Sequence, residues 1–305
     1  MNPYMKILWD SWKSTPVPHM EWITCDRDAL MRKAQETQDG GETVAWIASI
    51  ASIASGKWIG VRDKQYGHEI HCISDRRVPR SDLILGLQLM AWMSRHTPLR
   101  WFWWDHSWPR ILPSAVDPGR DHVNGGWAII GVPEIHVYRR EEAHKVLLHE
   151  CIHALGLDVS MDAATVARQQ FEAALGRRLW PHLGEAWTEL RAEMLWAVCR
   201  GRSWPNACQL WQKQKECSHR QAAQVWVRIR DSREAEDTNV FAYYVLKWVL
   251  MEHEEEVMVA PTASVAHWFR WWREQLPALN AAASLPVALA SERATLAMGM
   301  TCAAS

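Results

Sequence analysis

The residues best suited to chemistry in this chain stand in one short run, His149-Glu150-Cys151-Ile152-His153. Residues four apart on a helix project from one face, a single turn apart, so His149 and His153 can both offer an imidazole to one metal ion. Glu150 leans over the same face, where it can take a proton from a water molecule that the metal activates. The spacing therefore predicts a zinc site suited to hydrolysis.

The surrounding sequence predicts that this motif lies on a buried helix. Apolar side chains cover most of the circumference of a helix over residues 141–157, and Gly156 is a suitable terminator. Two buried imidazoles and a buried carboxylate are costly without a partner such as a metal. Core histidines that are satisfied by other groups are the alternative. Cys151 points away from the histidines and is expected to be a small core residue.

A catalytic zinc needs a third protein ligand and one position for water. We expect this ligand to be Glu185, because Glu185, Glu189 and Glu193 recur at spacing four in one helix-like run. Like charges at that spacing repel one another unless a cation compensates them. A solvated acidic face is the alternative. Asp158 is expected to support a ligand or a turn; if Glu185 is not the ligand, Asp158, His182 and Glu189 are the other candidates.

From residue 150 to residue 193 the chain resembles the gluzincin branch of zinc metallopeptidases, which includes the thermolysin-like enzymes. In those enzymes a helix after the H-E-x-x-H helix carries Asn-Glu-x-x-x-Asp, and here Gly184, Glu185 and Glu189 stand at the three positions. The resemblance implies that Glu185 is a zinc ligand and that Glu189 orients a ligand histidine. Gly184 lacks the amide of the family's asparagine, and Glu189 is longer than its aspartate.

A longer stretch resembles uncharacterised H-E-x-x-H proteins encoded by large DNA viruses. It comprises Asn124-Gly125-Gly126-Trp127, residues 134–150 and the downstream pair Tyr243-Tyr244. This resemblance implies a virus-encoded peptidase, and it leaves the substrate open.

Composition and charge limit the partners and the location. With 305 residues, 48% of them hydrophobic, the chain can bury a sizeable core. A net charge of -1 argues against nucleic acid and a membrane surface as partners, since both need a basic excess or patch. There is no run of about 18 apolar residues to span a membrane, and residues 1–10 lack the apolar run of a signal peptide. Seven cysteines without paired C-x-x-C spacing predict a reduced, intracellular protein.

Tryptophan is unusually frequent, with 21 residues against five tyrosines and four phenylalanines. The run Trp101-Phe102-Trp103-Trp104 could serve as a platform that stacks on sugars or bases. We favour the simpler interpretation that tryptophan fills core positions, because these residues are spread along the chain among apolar neighbours.

The order of elements predicts an α+β, zincin-like fold with a small mixed sheet, an active-site helix and then a mostly helical C-terminal half. The expected regions are an N-terminal mixed region (1–75), a catalytic core (76–200), a helical subdomain (201–276) and an Ala-rich tail (277–305). Strands are predicted at 69–73, 99–104, 127–130 and 134–139, and helices at 81–96, with Ser81 as N-cap, 141–156, 162–176, 184–200, 206–230, 238–255 and 264–275.

This layout gives the two short strands before the motif a role. In zincins the strand that borders the active site pairs with the substrate backbone, a form of β-strand addition. Here residues 125–130 or 134–137 would take that role, and Gly125 and Gly126, followed by Trp127, would let a peptide approach closely. An ordinary hairpin is the alternative.

Together these expectations describe a zinc-dependent peptidase that acts on a peptide or protein substrate. Zn²⁺ would lower the pKa of its water, and Glu150 would move the proton to the leaving amine. Tyr243 and Tyr244, and likewise His219 and His253, are candidate donors to the oxyanion. The alternatives are a zincin-like protein that binds a partner without turnover and a Trp-rich helical interaction protein in which the motif is accidental.

Overall fold

The computed structural model describes residues 3–36, 57–107, 119, 123–180, 182–259 and 267–284. The protein is α+β, as predicted, with a six-stranded open mixed sheet. Its residues form two compact units. We call them the sheet unit (residues 10–108 and 125–157) and the helical unit (residues 1–9, 109–124 and 158–305).

The sheet has the strand order β1-β2-β3-β4-β6-β5. The strands are β1 (Met20–Ile23), β2 (Lys57–Asp63), β3 (Glu69–Ser74), β4 (Arg100–Asp105), β5 (Gly126–Ala128) and β6 (Glu134–Val137). β3, β4 and β6 run parallel, while β1, β2 and β5 pair antiparallel with their neighbours. β4 lies in the centre because its nearly continuous apolar run suits a strand that is covered on both faces.

One face of β4 packs against two helices. The first four helices of the chain are α1 (Pro3–Ser14), α2 (Arg27–Glu36), α3 (Arg80–Met93) and α4 (Ala143–Ala154). Trp101 and Trp103 stack on each other with ring centroids 4.7 Å apart, and His144 of α4 meets both rings edge-on. A Cβ at Gly86 of α3 would lie 2.5 Å from the Trp101 ring. The glycine therefore lets α3 lie directly on the strand.

The other face of the sheet carries a row of stacked rings from four adjacent strands. His71, Phe102, His136 and Trp127 are register partners, and successive ring centroids lie 5.6, 5.4 and 3.8 Å apart. All four aromatic residues from 101 to 104 are buried in this sheet. They are core residues, as we favoured, and the binding-platform alternative for this run is wrong.

The helical unit contains most of the remaining elements. They are α5 (Met161–Leu175), α6 (Gly184–Arg200), α7 (Trp204–Ile229), a π-helix (Phe241–Leu246), α8 (Lys247–Glu252), α9 (Glu254–Val259) and α10 (Trp268–Ser284). α6 packs against α7, α8 and the π-helix. Within the described ranges, no helix combines the length and the apolar character needed to cross a membrane.

Several sequence predictions about element boundaries are corrected. Ser81 is not the N-cap of α3, because the helix begins at Arg80 and the Pro79 carbonyl already accepts the N–H of Asp82. The helix predicted at 238–255 is divided into a π-helix and two short α-helices. α10 continues past Pro277 to Ser284, into the predicted tail. β1, β2, α1 and α2 were not predicted.

The cysteines also differ from the prediction of a fully reduced chain. Cys217 is disulfide-bonded, so that prediction is wrong at this position. The free cysteines among the described residues are Cys25, Cys72, Cys151, Cys199 and Cys208. Cys151 is completely buried in α4, as expected for a small core residue.

Candidate metal centre

The H-E-x-x-H motif lies on α4, and the prediction of a buried helix is confirmed. Every residue from Lys145 to Ala154 is buried. His149, Glu150 and His153 retain only 5%, 6% and 8% of their exposure. These polar groups have therefore lost nearly all contact with bulk water and need partners inside the protein.

The two imidazoles come together at their Nε2 atoms. His149 Nε2 and His153 Nε2 are 3.1 Å apart, and the ring planes meet at 67°. Two nitrogens bound to one tetrahedral zinc lie roughly 3.3 Å apart, since each Zn–N bond is about 2.0–2.1 Å. A hydrogen bond between two neutral imidazoles also fits this distance. The distance is therefore compatible with two nitrogen ligands of one ion and also with a hydrogen-bonded pair of imidazoles.

Glu185 offers a third possible ligand atom. One ligand atom from each of His149, His153 and Glu185 lies within 4.8 Å of the other two. Two imidazoles and one carboxylate form a donor set that catalytic zinc accepts, and they leave one coordination position for water or substrate. The residues present therefore fit a zinc ion.

Glu150 packs closely against β5 at the position of Gly126. A Cβ built on Gly126 would be 3.3 Å from Glu150 Cγ, 2.7 Å from Val146 Cγ1 and 2.5 Å from the His136 carbonyl oxygen. Only glycine allows the strand to approach the helix this closely. The predicted substrate strand therefore does run beside the candidate general base.

Gly125 and Trp127, which flank Gly126, have other contacts. Gly125 is buried, and its carbonyl accepts the N–H of Tyr138, which extends the pairing with β6. Trp127 stacks on His136 in the row of rings on the opposite face of the sheet. Among the described residues, β5 has β6 as its single strand neighbour, and we call its other edge open in the sense that no described strand pairs with it.

The glutamates of α6 do not form a solvated acidic face, and that alternative is wrong. Glu185 is half-buried, whereas Glu189 and Glu193 are 0% and 1% exposed. Lys247 Nζ lies 2.6 Å from Glu193 Oε1, and Gln214 Nε2 donates to Glu193 Oε2 at 2.9 Å. Glu193 thus has a cationic partner, Lys247, the residue that directly follows the π-helix.

Tyr243 and Tyr244 have different environments. Tyr243, in the π-helix, is half-buried and its hydroxyl donates to Glu185 Oε2 at 3.4 Å. Tyr244 is fully buried, with Lys247 Nζ 5.8 Å from its ring centroid. Insertions of π-helix into α-helical segments are frequent at functional sites. Of the two tyrosines, Tyr243 is the one placed next to a candidate ligand.

The remaining predicted site residues lie in the helical unit. His219 stacks on Trp248, and His253 stacks on Trp271, with interplanar angles of 11° and 13°. Asp158 is half-buried in the segment that precedes α5. These contacts place both histidines in aromatic packing.

In comparisons with known proteins, no family model, no curated protein and no solved structure matches this chain. The chemistry and geometry of the chain's own residues are therefore the basis for inferring its function. The gluzincin resemblance and the viral resemblance stay predictions.

Sequence reasoning missed the groups that hold the glutamate helix. Lys247 stands alone as a cation in the apolar run 241–251, and a lone cation in such a run is the signal that could have suggested a buried acidic partner. Only the folded structure shows that this acidic partner is Glu193. The bond from Tyr243 to Glu185 was likewise missed, although both residues were singled out separately.

Proposed function

We propose that this protein is a zinc-dependent peptidase with a zincin-like active site. The observation that carries the proposal is the convergence of His149, His153 and Glu185, each of which offers a donor atom within 4.8 Å of the others. Glu150, adjacent to His149 in sequence and next to the open strand β5, supports hydrolysis rather than structural metal binding.

The chemistry divides among these residues. When bound, a zinc ion supplies a Lewis acid that lowers the pKa of water and polarises a carbonyl group. Glu150 accepts the proton of the attacking water and delivers it to the leaving amine, as a general base and then a general acid. Tyr243 donates its only hydroxyl proton to Glu185 Oε2 and so orients this carboxylate as a positioning residue.

An extended peptide is the substrate that suits this arrangement. The open edge of β5 offers main-chain groups for strand addition, and Gly126 lets that strand pack directly against Glu150. A peptide paired with this strand would therefore lie one strand away from the candidate general base.

The decisive experiment separates metal binding from turnover. We expect the purified protein to carry about one zinc ion per chain, and His149→Ala, His153→Ala and Glu185→Ala each to lose it. Glu150→Gln should retain zinc and the fold, yet lose peptide hydrolysis by several orders of magnitude, because it removes the proton acceptor and no ligand. Zinc content by mass spectrometry and cleavage of a casein digest are the measurements.

Two other outcomes would favour the alternative functions. A protein that binds zinc but cleaves no peptide would be a zincin-like binding protein. A protein without affinity for zinc would leave the His149–His153 pair as a hydrogen-bonded pair in a Trp-rich interaction protein.

A further inference from the structure

Large apolar side chains are exposed at few positions among the described residues, and they concentrate beside α4. The exposed set is Ile7, Val17, Trp22, Ile129, Ile130, Val132, Leu157, Val166, Val227 and Val259. Three of these ten lie in the turn between β5 and β6, and Leu157 lies three residues after the end of α4. We call Ile129, Ile130, Val132 and Leu157 the apolar rim; their exposed fractions are 57%, 54%, 36% and 41%.

Backbone hydrogen bonds connect the whole rim to one carbonyl group. The N–H groups of Gly131 and Gly156 both donate to the carbonyl oxygen of His153, at 3.1 and 2.8 Å. Ile130 and Val132 flank the first glycine, and Leu157 follows the second. Because His153 is a candidate metal ligand, the rim is fixed to the residue that would hold the ion.

The rim also continues the open strand. β5 ends at Ala128, and Ile129 is the next residue. A peptide that adds to the open edge of β5 would satisfy main-chain groups there and would carry its side chains past this turn. An apolar turn at this place offers burial to apolar side chains of such a peptide.

We propose that the apolar rim binds large apolar side chains of an extended polypeptide substrate, close to the bond that is cleaved. This inference rests on the proposed peptidase function and names its substrate class, peptides with leucine-like residues near the scissile bond. A second copy of the chain or a lipid surface would also cover apolar side chains. The open β5 edge, continuous with the rim, favours the peptide, since an extended main chain can use both features.

The test compares two peptides of equal length that differ only in a central pair, Leu-Leu in one and Asn-Asn in the other. Binding to the zinc-loaded Glu150→Gln protein is measured by isothermal titration calorimetry, so that cleavage does not interfere. We expect the leucine peptide to bind at least about 10-fold more tightly. In a protein that also carries Ile129→Ser and Ile130→Ser, the preference should fall below about 3-fold.

Matched control variants exist on other elements. Val166 and Val227 are 54% and 39% exposed on α5 and α7, so Val166→Ser and Val227→Ser remove comparable exposed apolar groups. These variants should keep the full preference for the leucine peptide. Circular dichroism and zinc content, measured on every variant, exclude a loss of folding or of metal as the cause.

Equal affinity for the two peptides, or a preference that survives the Ile129→Ser and Ile130→Ser changes, would overturn the assignment. So would concentration-dependent self-association, or binding to phosphatidylcholine vesicles, that the same two changes abolish. If the Glu150→Gln protein prefers leucine but the wild type cleaves neither peptide, the peptidase proposal fails, and the rim stands only as a binding site for apolar side chains of a peptide. If the wild type cleaves both peptides equally well, the rim assignment fails and the peptidase proposal stands.

Discussion

The two helices that carry the candidate ligands are held in place by different forces. α4, the histidine helix, fits against β5 by close packing, with no room for a side chain at Gly126. α6, the glutamate helix, is held by a buried ion pair, Lys247–Glu193, to which Gln214 adds a hydrogen bond. Steric fit therefore positions the first helix, whereas the second depends on a cation beside its buried carboxylate.

This difference has a practical consequence for the site. The position of the histidines depends on the small volume of Gly126, because an added methyl group there would collide with backbone and side-chain atoms. The position of the glutamate helix depends on charge, because removal of one partner leaves the other buried and uncompensated. Substitutions can therefore disturb the histidine helix through steric clashes and the glutamate helix through the loss of a charge.

The largest effect is expected at the buried ion pair. Lys247→Met should lower the free energy of unfolding by about 3–5 kcal/mol, because it leaves the Glu193 carboxylate buried without its cation. Urea denaturation measures the loss, and hydrogen exchange should show faster opening of α6 amides than of α4 amides. Lys215→Met is the matched control: this lysine lies 3.9 Å from Glu254 and is 19% exposed, so its loss should cost less than about 1 kcal/mol.

A double variant shows whether charge is the cause. In Glu193→Leu/Lys247→Met both charges are gone, and most of the lost stability should return. If the double variant is as unstable as Lys247→Met alone, packing rather than charge holds the glutamate helix, and the contrast between the two helices disappears.

A smaller effect is expected from a single methyl group on the strand beside the histidine helix. Gly126→Ala should destabilise the protein by about 1–3 kcal/mol, since the new Cβ would lie 2.5 Å from a backbone oxygen. The same change at Gly184, the first residue of the glutamate helix, meets only the Cβ atoms of Ala164 and Val159 at 4.0 Å. Gly184→Ala should therefore be neutral or slightly stabilising. Thermal unfolding measures the stability of both variants. Equal losses of stability at the two glycines would contradict the steric explanation.

The smallest effect concerns pH and the sheet that supports the histidine helix. Burial lowers the pKa of His136 to about 3, with a further contribution from Lys33. In the unfolded chain the pKa is about 6.5, so between these values the unfolded state binds a proton that the folded state does not. The contribution of His136 to the free energy of unfolding is therefore fully present above pH 6.5. It falls as the pH decreases, by about 1 kcal/mol between pH 6.5 and pH 5.5.

The variant His136→Phe isolates this contribution. Phenylalanine keeps a ring between Phe102 and Trp127 but cannot take up a proton. Burial also lowers the pKa of His106, to about 4, yet that group remains in both proteins and cancels in their difference. Urea denaturation across this pH range should show a shallower decline for the variant. Parallel declines would exclude His136 as the source.

Patterns of local spacing predicted a large part of the fold. The four predicted strands all correspond to strands of the sheet, and the buried motif helix and the glutamate helix lie at the predicted residues. Each has a periodic run of apolar residues that is visible within a short window. α1, α2, β1 and β2 were missed because none has a continuous apolar run; β2, for example, contains Lys57, Gly60, Arg62 and Asp63.

The sequence by itself determined which side chains could bind a metal and that the motif helix is buried, because both follow from residue type and helical spacing. Only the tertiary structure decided how the ligand helices are held. Lys247 and Glu193 are 54 residues apart, and Gly126 and Glu150 meet only because a strand packs on a helix. Such partners are chosen by packing across the chain. Local sequence patterns do not reveal these partners. A buried charge needs an oppositely charged partner, but its own sequence neighbourhood does not show where along the chain that partner lies.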